Sequence, residues 1–152
     1  MKNTKTNLLR TVATGMAAGS AFLAATWLDS RLSRYPFNDV KLVGQMLTTR
    51  SPMWQLQGLA GHYGFSIVMT LLYGRVFYSR LPGPPVLRGI TFLQIENLAL
   101  YPLVYLLDSF HAGMRAGEVP SMGNMKIFMG QALRHVAFAA VLGAMYRGGR
   151  KD

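Results

Sequence analysis

The apolar residues of this chain are gathered into four long blocks that contain few charges. A helix needs about 20 mostly apolar residues to cross the hydrocarbon core of a bilayer. A soluble helical bundle would instead show polar faces rich in Glu and Lys at helical spacing. The pattern therefore predicts an all-α, integral membrane four-helix bundle of two helical hairpins, which forms a single membrane domain over residues 1–152. The predicted spans cover about residues 8–28, 59–79, 86–107 and 125–146.

The longest predicted loop, between the first and second spans, carries signals for a short surface helix. Asn38-Asp39 can cap a helix over residues 40–48. This helix either lies in the membrane interface or packs on the bundle. Ser51-Pro52 is typical of a helix start, with Ser as the cap and Pro in the first turn. The second span can therefore begin there rather than at Leu59.

The first span has an alternative interpretation as a secretory signal peptide. It follows a basic segment, and Gly19-Ser20-Ala21 is a small-residue sequence of the kind that signal peptidase cleaves. However, the apolar run continues to Leu28, beyond the apolar core of a usual signal peptide. Its length favours an uncleaved first helix.

The composition agrees with a membrane protein and excludes several other classes. Hydrophobic residues make up 51% of the 152 residues and charged residues 14%, against roughly 25% charged in an average soluble domain. A disordered chain would be richer in charge and poorer in apolar residues. A disulfide-stapled secreted domain needs cysteines, and the chain has none.

The basic excess, 16 Lys and Arg over six Asp and Glu, lies mostly in short segments beside the apolar blocks. There it can meet anionic lipid headgroups, and no recognised nucleic-acid-binding motif accompanies it. The expected partner is therefore the lipid bilayer, with no nucleic acid. Because cytoplasmic loops are richer in Lys and Arg, we predict that both termini are cytoplasmic. The side of the termini carries Lys2, Lys5, Arg10, Arg75, Arg80, Arg88, Arg147, Arg150 and Lys151, and the other side carries Arg31, Arg34, Lys41, Arg50, Arg115 and Lys126.

Small residues recur at packing intervals in the first two spans. Gly15 and Gly19 have the GxxxG spacing, and Gly58, Gly61 and Gly64 follow one another at intervals of three. Small side chains let membrane helices approach closely. We expect these glycines to pack helices within the chain, or against another membrane protein or a second copy of this chain.

Charged and polar residues interrupt the third and fourth spans at similar depth. At ~1.5 Å rise per residue, Glu96 lies about 16 Å from the outer end of the third span, and Arg134 and His135 lie about 12–14 Å from that of the fourth. A buried charge needs a partner. We predict that Glu96 faces Arg134 or His135, and that Asn97 and Gln131 satisfy the remaining donors and acceptors. This intramembrane polar cluster is either a buried ion pair that fixes helix order or a proton or substrate site.

His62, near the outer end of the second span, is interpreted as a hydrogen-bonding residue or a ligand. Two facing histidines in a helical bundle can hold a b-type haem, and His62 with His135 is the candidate pair. Their depths differ by about 9 Å if the second span starts at Leu59, which argues against axial ligation. The chain lacks an HExxH motif and a Gly-rich phosphate motif. We therefore expect no catalytic residue and no metal site, with haem as an alternative to no cofactor.

Several residues along the chain occur in an order that is also found in a known family. They are Gly15, Ala18, Gly19, Ser20 and Ala21, then His62, Phe65, Ser66 and Tyr73, then Tyr101, Pro102 and Leu103, and finally Gly130, His135, Tyr146 and Arg147. Over roughly residues 11–147 this order resembles the YagU-like family of small bacterial inner-membrane proteins. The resemblance implies a four-helix protein of the bacterial inner membrane, and it transfers no catalytic residue.

These observations favour a non-enzymatic, multi-pass integral membrane protein. It would act as an accessory subunit or as a membrane component in envelope or stress physiology. One alternative is a small oligomeric transporter or proton-handling protein that uses Glu96, Arg134 and His135. Another is a haem- or pigment-associated membrane subunit.

Overall fold

The structure, a computed structural model, describes residues 8–33 and 37–146, without the side chains of residues 104 and 105. These residues form helices and no strand, which confirms the predicted all-α class for this part of the chain. The helices are α1 (Leu8–Leu32), α2 (Asp39–Gly44), α3 (Trp54–Leu72) with a π-helical continuation (Tyr73–Phe77), α4 (Pro85–Phe110), α5 (Ala112–Arg115) and α6 (Met125–Met145). Part of the charge on which the predicted orientation depends lies outside the described residues, at Lys2, Lys5, Arg34, Arg147, Arg150 and Lys151.

The helix starts follow local capping chemistry. The Asn38 side chain caps α2 by accepting from the Lys41 backbone N–H at 3.0 Å. The Asn124 side chain caps α6 by accepting from the Lys126 backbone N–H at 2.9 Å. Pro85 occupies the first turn of α4, where a missing backbone donor costs nothing.

Several predicted bounds differ from the structure, and α1, for example, continues to Leu32 beyond the predicted end at residue 28. The surface helix ends at Gly44 instead of residue 48, and α3 begins at Trp54, between the two predicted starts. The Ser51 hydroxyl accepts from the Met53 backbone N–H at 3.3 Å, so Ser51 stabilises the turn that precedes α3.

The four long helices lie in the order α3, α1, α6, α4. The α1 helix packs against both α3 and α6, and α6 also packs against α4. At one end of the bundle the π-helical segment contacts α4, and the Tyr73 hydroxyl donates to the Pro85 carbonyl oxygen at 3.2 Å. Farther from this end, residues 61–69 of α3 and 93–110 of α4 flank a cavity.

Two apolar clusters form the core. The larger one lies between the long helices and contains Ala18, Phe22, Met69, Tyr73, Phe92, Leu93, Phe138, Ala139 and Leu142. The smaller one lies beneath α2 and the segment before α6, and it contains Phe37, Leu42, Val119, Met122 and Ile127. The α2 helix thus packs on the bundle, which is one of the two placements that the sequence left open.

Glycines permit the closest helix contacts, as predicted for most of the positions named above. A Cβ atom at Gly15 would lie 2.9 Å from Ile67 Cα, and one at Gly19 would lie 2.7 Å from Ser66 Oγ, so both glycines face α3. A Cβ atom at Gly58 would lie only 2.0 Å from the Val40 carbonyl oxygen of α2. These distances leave no room for a larger residue unless the helices separate.

Gly61 and Gly64 behave differently from each other. A Cβ atom at Gly61 would lie 2.5 Å from Val43 Cγ1 of α2, whereas one at Gly64 would meet no described atom within 4 Å. Gly64 therefore makes no close helix contact among the described residues, so the prediction of packing within the chain does not hold for this glycine, while its alternative of contact with another protein stays a prediction. Two glycines that were not predicted pack α4 on α6: a Cβ atom at Gly89 would lie 2.7 Å from the Ala139 carbonyl oxygen, and one at Gly143 would lie 2.5 Å from Val86 Cα.

The outward faces of the long helices are apolar. Leu98 of α4 is 62% exposed and Leu133 of α6 is 66% exposed. Other exposed side chains include Met16, Trp27 and Leu28 of α1, Leu56, Phe65 and Val68 of α3, and Leu103 and Leu106 of α4. By length and composition α1 and α6 are each able to cross a bilayer, a property that core helices of soluble proteins and signal sequences share.

A polar clasp holds α2 to the segment after α5. Glu118 Oε2 accepts from Gln45 Nε2 at 2.9 Å and lies 3.2 Å from Lys41 Nζ. The hydrogen bond from Gln45, together with that from Lys41, lowers the pKa of Glu118 below its ordinary value of 4.5. A carboxyl group whose pKa is lowered by folding stabilises the fold above its unfolded pKa, and this contribution is lost as the pH falls through the folded pKa.

We therefore expect Glu118→Gln to lower the melting temperature slightly at neutral pH, because the clasp is exposed and such pairs contribute little. The difference between the variant and the unchanged protein should vanish as the pH falls below 4.5. Thermal unfolding in mild detergent across this pH range measures it. A difference that is as large at acidic pH as at neutral pH would contradict the assignment.

Candidate functional site

His62 of α3 connects three helices through its imidazole ring. Its Nε2 donates to the Gly19 carbonyl oxygen of α1 at 3.0 Å, and its Nδ1 lies 2.6 Å from Asp39 Oδ2 of α2. Because a carbonyl oxygen only accepts, Nε2 carries a proton. A further proton must lie between Nδ1 and the carboxylate for the second hydrogen bond to form. Both side chains are only 8% exposed.

His135 of α6 repeats this pattern with Glu96 of α4. The His135 Nδ1 donates to the Gln131 carbonyl oxygen at 2.8 Å. Its Nε2 lies 3.1 Å from Glu96 Oε2, within ion-pair distance, but this carboxylate oxygen makes no well-aligned hydrogen bond among the described residues. The structure thus brings Glu96 to His135, one of its two predicted partners.

The two carboxylate–imidazole pairs lie on either side of Phe22. The Phe22 ring centroid is 5.5 Å from that of His62 and 5.4 Å from that of His135. Each pair has one imidazole N–H directed to a backbone carbonyl and the other nitrogen directed to a carboxylate. Each pair can therefore hold one proton between its two side chains, and releasing it leaves a buried negative charge.

Arg134, the other predicted partner of Glu96, pairs instead with Asp29 of α1. Its Nη2 donates to Asp29 Oδ2 of α1 at 2.5 Å, and its Nη1 donates to Gln131 Oε1 at 3.2 Å. The guanidinium carbon lies 4.2 Å from the centroid of the Phe37 ring, so a cation–π contact adds to the ion pair. Arg134 is 2% exposed.

The predicted cluster is therefore divided into two sites that Gln131 connects. The backbone carbonyl of Gln131 serves His135, and its side-chain oxygen serves Arg134. Gln94 of α4 donates to the Ala132 carbonyl oxygen of α6 at 3.0 Å. The Asn97 Nδ2 atom is buried and has no hydrogen-bond partner among the described residues.

Two acidic partners were not predicted. Asp29 was assigned to the first loop, yet α1 continues to Leu32 and carries Asp29 to α6. Gly130 lies one helical turn before Arg134, and a Cβ atom there would lie 2.9 Å from Asp29 Oδ2. The sequence could have indicated this ion pair, because a glycine one turn before an arginine leaves room for an acidic side chain from another helix. Asp39 was predicted only as a capping residue.

The cavity between α3 and α4 has a volume of about 620 Å³. Its walls are mainly apolar and include Phe22, Met69, Leu100 and Phe138. Both carboxylate–imidazole pairs and Asn97 also line it. Phe65, Leu103 and Leu106 line it as well, and each of these side chains is at least half exposed. They therefore lie where the cavity meets the surface. The cavity thus joins a polar site inside the bundle to the apolar exterior.

The hydrogen-bond and ion-pair partners of the two histidines argue against the haem alternative. All four ring nitrogens of His62 and His135 face hydrogen-bond or ion-pair partners. Either histidine would have to leave a partner before it could bind a haem iron. No group of three metal-ligating side chains occurs among the described residues. The arrangement supports the hydrogen-bonding interpretation of His62 and suits proton binding.

No protein-family model, no curated protein and no solved structure matches the chain. Function is therefore inferred from the residues and geometry of this chain.

Proposed function

We propose that the chain is a multi-pass integral membrane protein whose four long helices, α1, α3, α4 and α6, cross a bilayer. The supporting observation is an inverted distribution of polarity. Large apolar side chains cover the outward faces of all four helices, whereas Arg134, His62, His135 and Asn97 are buried. Exposed apolar surface of this extent marks contact with a membrane or a partner. Polar residues that face the bundle interior are the usual arrangement in membrane helices.

The proposed location is the bacterial inner membrane, with both termini in the cytoplasm. The distribution of Lys and Arg along the sequence supports the orientation. From the resemblance to the YagU-like family we also propose that this membrane is the bacterial inner membrane. Reporter domains fused to each terminus test the orientation, because a periplasmic reporter activity at either end would contradict it.

Within the membrane we propose a non-enzymatic role as an accessory subunit or envelope component. The described buried charges are engaged in pairs between helices, which suits a protein that offers a rigid surface to a partner. Purification in mild detergent, with identification of co-purifying membrane proteins, tests this role. A stoichiometric partner lost in Leu133→Gln but retained in Arg50→Gln would support it. Isolation of the chain alone after chemical cross-linking in the membrane would contradict it.

A second candidate function is proton handling, which the cavity-facing Glu96–His135 pair specifically favours. The pair is reached from a cavity that meets the exterior, and Glu96 Oε2 lacks a well-aligned hydrogen bond. Carboxylate and imidazole groups within a membrane form the proton relays of pumps and transporters.

If this second function holds, Glu96→Gln abolishes a pH-dependent flux through liposomes that contain the protein. The amide cannot exchange a proton, although its shape matches the carboxylate. A pH-sensitive dye trapped in the liposomes reports the flux. Glu118→Gln, which changes the other glutamate of the chain and lies outside the proposed spans, is the matched control and should leave the flux unchanged. Equal flux in both variants would exclude Glu96 from the path.

A further inference from the structure

We propose that the cavity between α3 and α4 binds a neutral amphiphile from the surrounding lipid. The apolar body of this ligand lies between the two helices, and a carbonyl oxygen on its head accepts a hydrogen bond from the Asn97 side-chain amide. This inference rests on the proposed membrane location.

The first support is the state of Asn97. The residue is 7% exposed and lines the cavity. Its Nδ2 is buried and has no hydrogen-bond partner among the described residues. A buried donor without a partner is costly and uncommon in folded proteins. An acceptor supplied by a ligand in the cavity would satisfy it.

The second support is the charge around the cavity. Glu96 and Asp39 both line it, and each already faces an imidazole. An anionic head would lose its hydration in a place of low dielectric where the described lining holds no Lys or Arg and both histidines already face carboxylates, which is unfavourable. A neutral carbonyl head avoids this cost and still accepts a hydrogen bond from Asn97. A hydroxyl on the same head can donate to Glu96 Oε2, the oxygen without a well-aligned hydrogen bond.

The third support is the shape and access of the cavity. Its volume of about 620 Å³ lies within the range of roughly 300–1,000 Å³ that is usual for small-molecule sites. The side chains at its opening, Phe65, Leu103 and Leu106, are exposed and apolar. A ligand that enters between them comes from the same apolar phase that covers the outer helix faces. Two kinds of neutral lipid share the required carbonyl group: quinones, through a ring carbonyl, and acylglycerols, through an ester.

Native mass spectrometry of the full chain in mild detergent tests the inference. Three probes are titrated at pH 8: a naphthoquinone with a short isoprenoid tail, a monoacylglycerol, and the fatty acid of the same chain length. We expect saturable binding of a single copy of a neutral probe. We also expect the fatty acid to bind at least about 10-fold more weakly, because its carboxylate would lose hydration in a cavity whose described lining holds no Lys or Arg. Binding of the quinone alone or the monoacylglycerol alone supports the inference and identifies the source.

Two variants and a matched control locate the binding site. Asn97→Leu keeps the side-chain size but removes the donor, and it should weaken binding roughly 3- to 10-fold. Leu103→Trp fills the cavity entrance and should abolish binding. Leu98→Trp adds the same bulk to an exposed position of α4 outside the cavity lining, and it should have no effect. If Leu103→Trp does not fold, weaker binding to Asn97→Leu than to Leu98→Trp still places the ligand in the cavity.

Several results would overturn the inference. Binding that is unchanged in Asn97→Leu, fatty-acid binding as tight as that of the neutral probes, or no saturable binding of any probe would each do so. Alkaline carbonate extraction of the same cells keeps the two proposals apart. A chain that resists extraction but binds none of the probes overturns the cavity inference alone, whereas a chain released by carbonate overturns the proposed membrane location.

Discussion

Replacing Arg134 by Met should destabilise the protein by about 3 kcal/mol, near the lower end of the 3–5 kcal/mol range for breaking a buried ion pair. The guanidinium is 2% exposed, whereas Asp29 is 24% exposed and can recover some hydration. The substitution leaves the Asp29 carboxylate unpaired beside α6 and also removes the donor to Gln131. Unfolding in detergent, followed by circular dichroism as a function of denaturant, measures the free energy of unfolding.

Two comparisons separate loss of the ion pair from loss of any arginine. Arg50→Gln changes an exposed arginine in the segment between α2 and α3, and it should alter stability by no more than about 0.5 kcal/mol. The double variant Asp29→Asn with Arg134→Met leaves no unpaired charge at this site, so it should recover most of the loss. If Arg134→Met is as stable as Arg50→Gln, the Asp29–Arg134 pair does not hold α1 to α6.

The second large effect is expected at Gly58, where α2 lies against α3. A Cβ atom there would be 2.0 Å from the Val40 carbonyl oxygen, a backbone atom that moves only if α2 moves. Forcing one methyl group into a well-packed contact costs typically 1–3 kcal/mol, and we expect Gly58→Ala to cost at least about 2 kcal/mol for this reason. Because displacement of α2 carries Asp39 away from His62, limited proteolysis should also cleave the α2 segment faster.

Gly64→Ala on the same helix is the matched control. A Cβ atom at Gly64 meets no described atom within 4 Å, so the substitution adds no clash. Alanine in a helix interior is favoured over glycine by roughly 0.5–1 kcal/mol, and this variant should be as stable as the unchanged chain or more so. Equal stability of the two alanine variants would show that α2 does not pack closely on Gly58.

The long helices were predictable because apolar runs of this length rarely form anything other than a helix. The four sequence blocks contain most of α1, α3, α4 and α6, and the caps at Asn38 and Asn124 mark two starts. The exact bounds were harder to predict, because several adjacent residues can end a helix. The predicted span ended at residue 28, whereas α1 continues to Leu32 and so includes Asp29, whose carboxylate reaches Arg134 of α6.

The pairing within the polar cluster shows where sequence reasoning reaches its limit. Depth along the helices correctly placed Glu96 at the level of Arg134 and His135. Adjacent residues of a helix with 3.6 residues per turn point about 100° apart, so only one of the two can face α4. Which one does so depends on the rotation of α6, and that is set by its glycine contacts with α4, such as Gly143 against Val86.

The Asp39–His62 pair and the cavity depend on tertiary packing alone. Asp39 reaches His62 because α2 folds back onto α3 through the close approach at Gly58. The cavity exists because α1 and α6 hold α3 and α4 apart, and no residue pattern records an empty volume. The 9 Å difference in depth between the two histidines assumed a later start of the second span, whereas Phe22 contacts both rings.

The central claim, that the four long helices cross a bilayer, is tested most directly by chemical labelling of single cysteines. The chain has no cysteine of its own. Met16, Val68, Leu98 and Leu133 are each replaced by cysteine, since these side chains are exposed near the middle of the four helices. Leu47, which is 91% exposed after α2, provides the control position. Membranes opened so that the reagent reaches both faces are treated with a water-soluble, membrane-impermeant maleimide, and labelling is repeated after denaturation in detergent.

We predict that the cysteine at position 47 reacts in membranes opened to expose both faces. The four mid-helix cysteines should react only after denaturation, because lipid covers side chains that the fold itself leaves exposed. Rapid labelling of all five positions before denaturation would contradict the claim. It would show that water, not lipid, surrounds the apolar faces of the bundle.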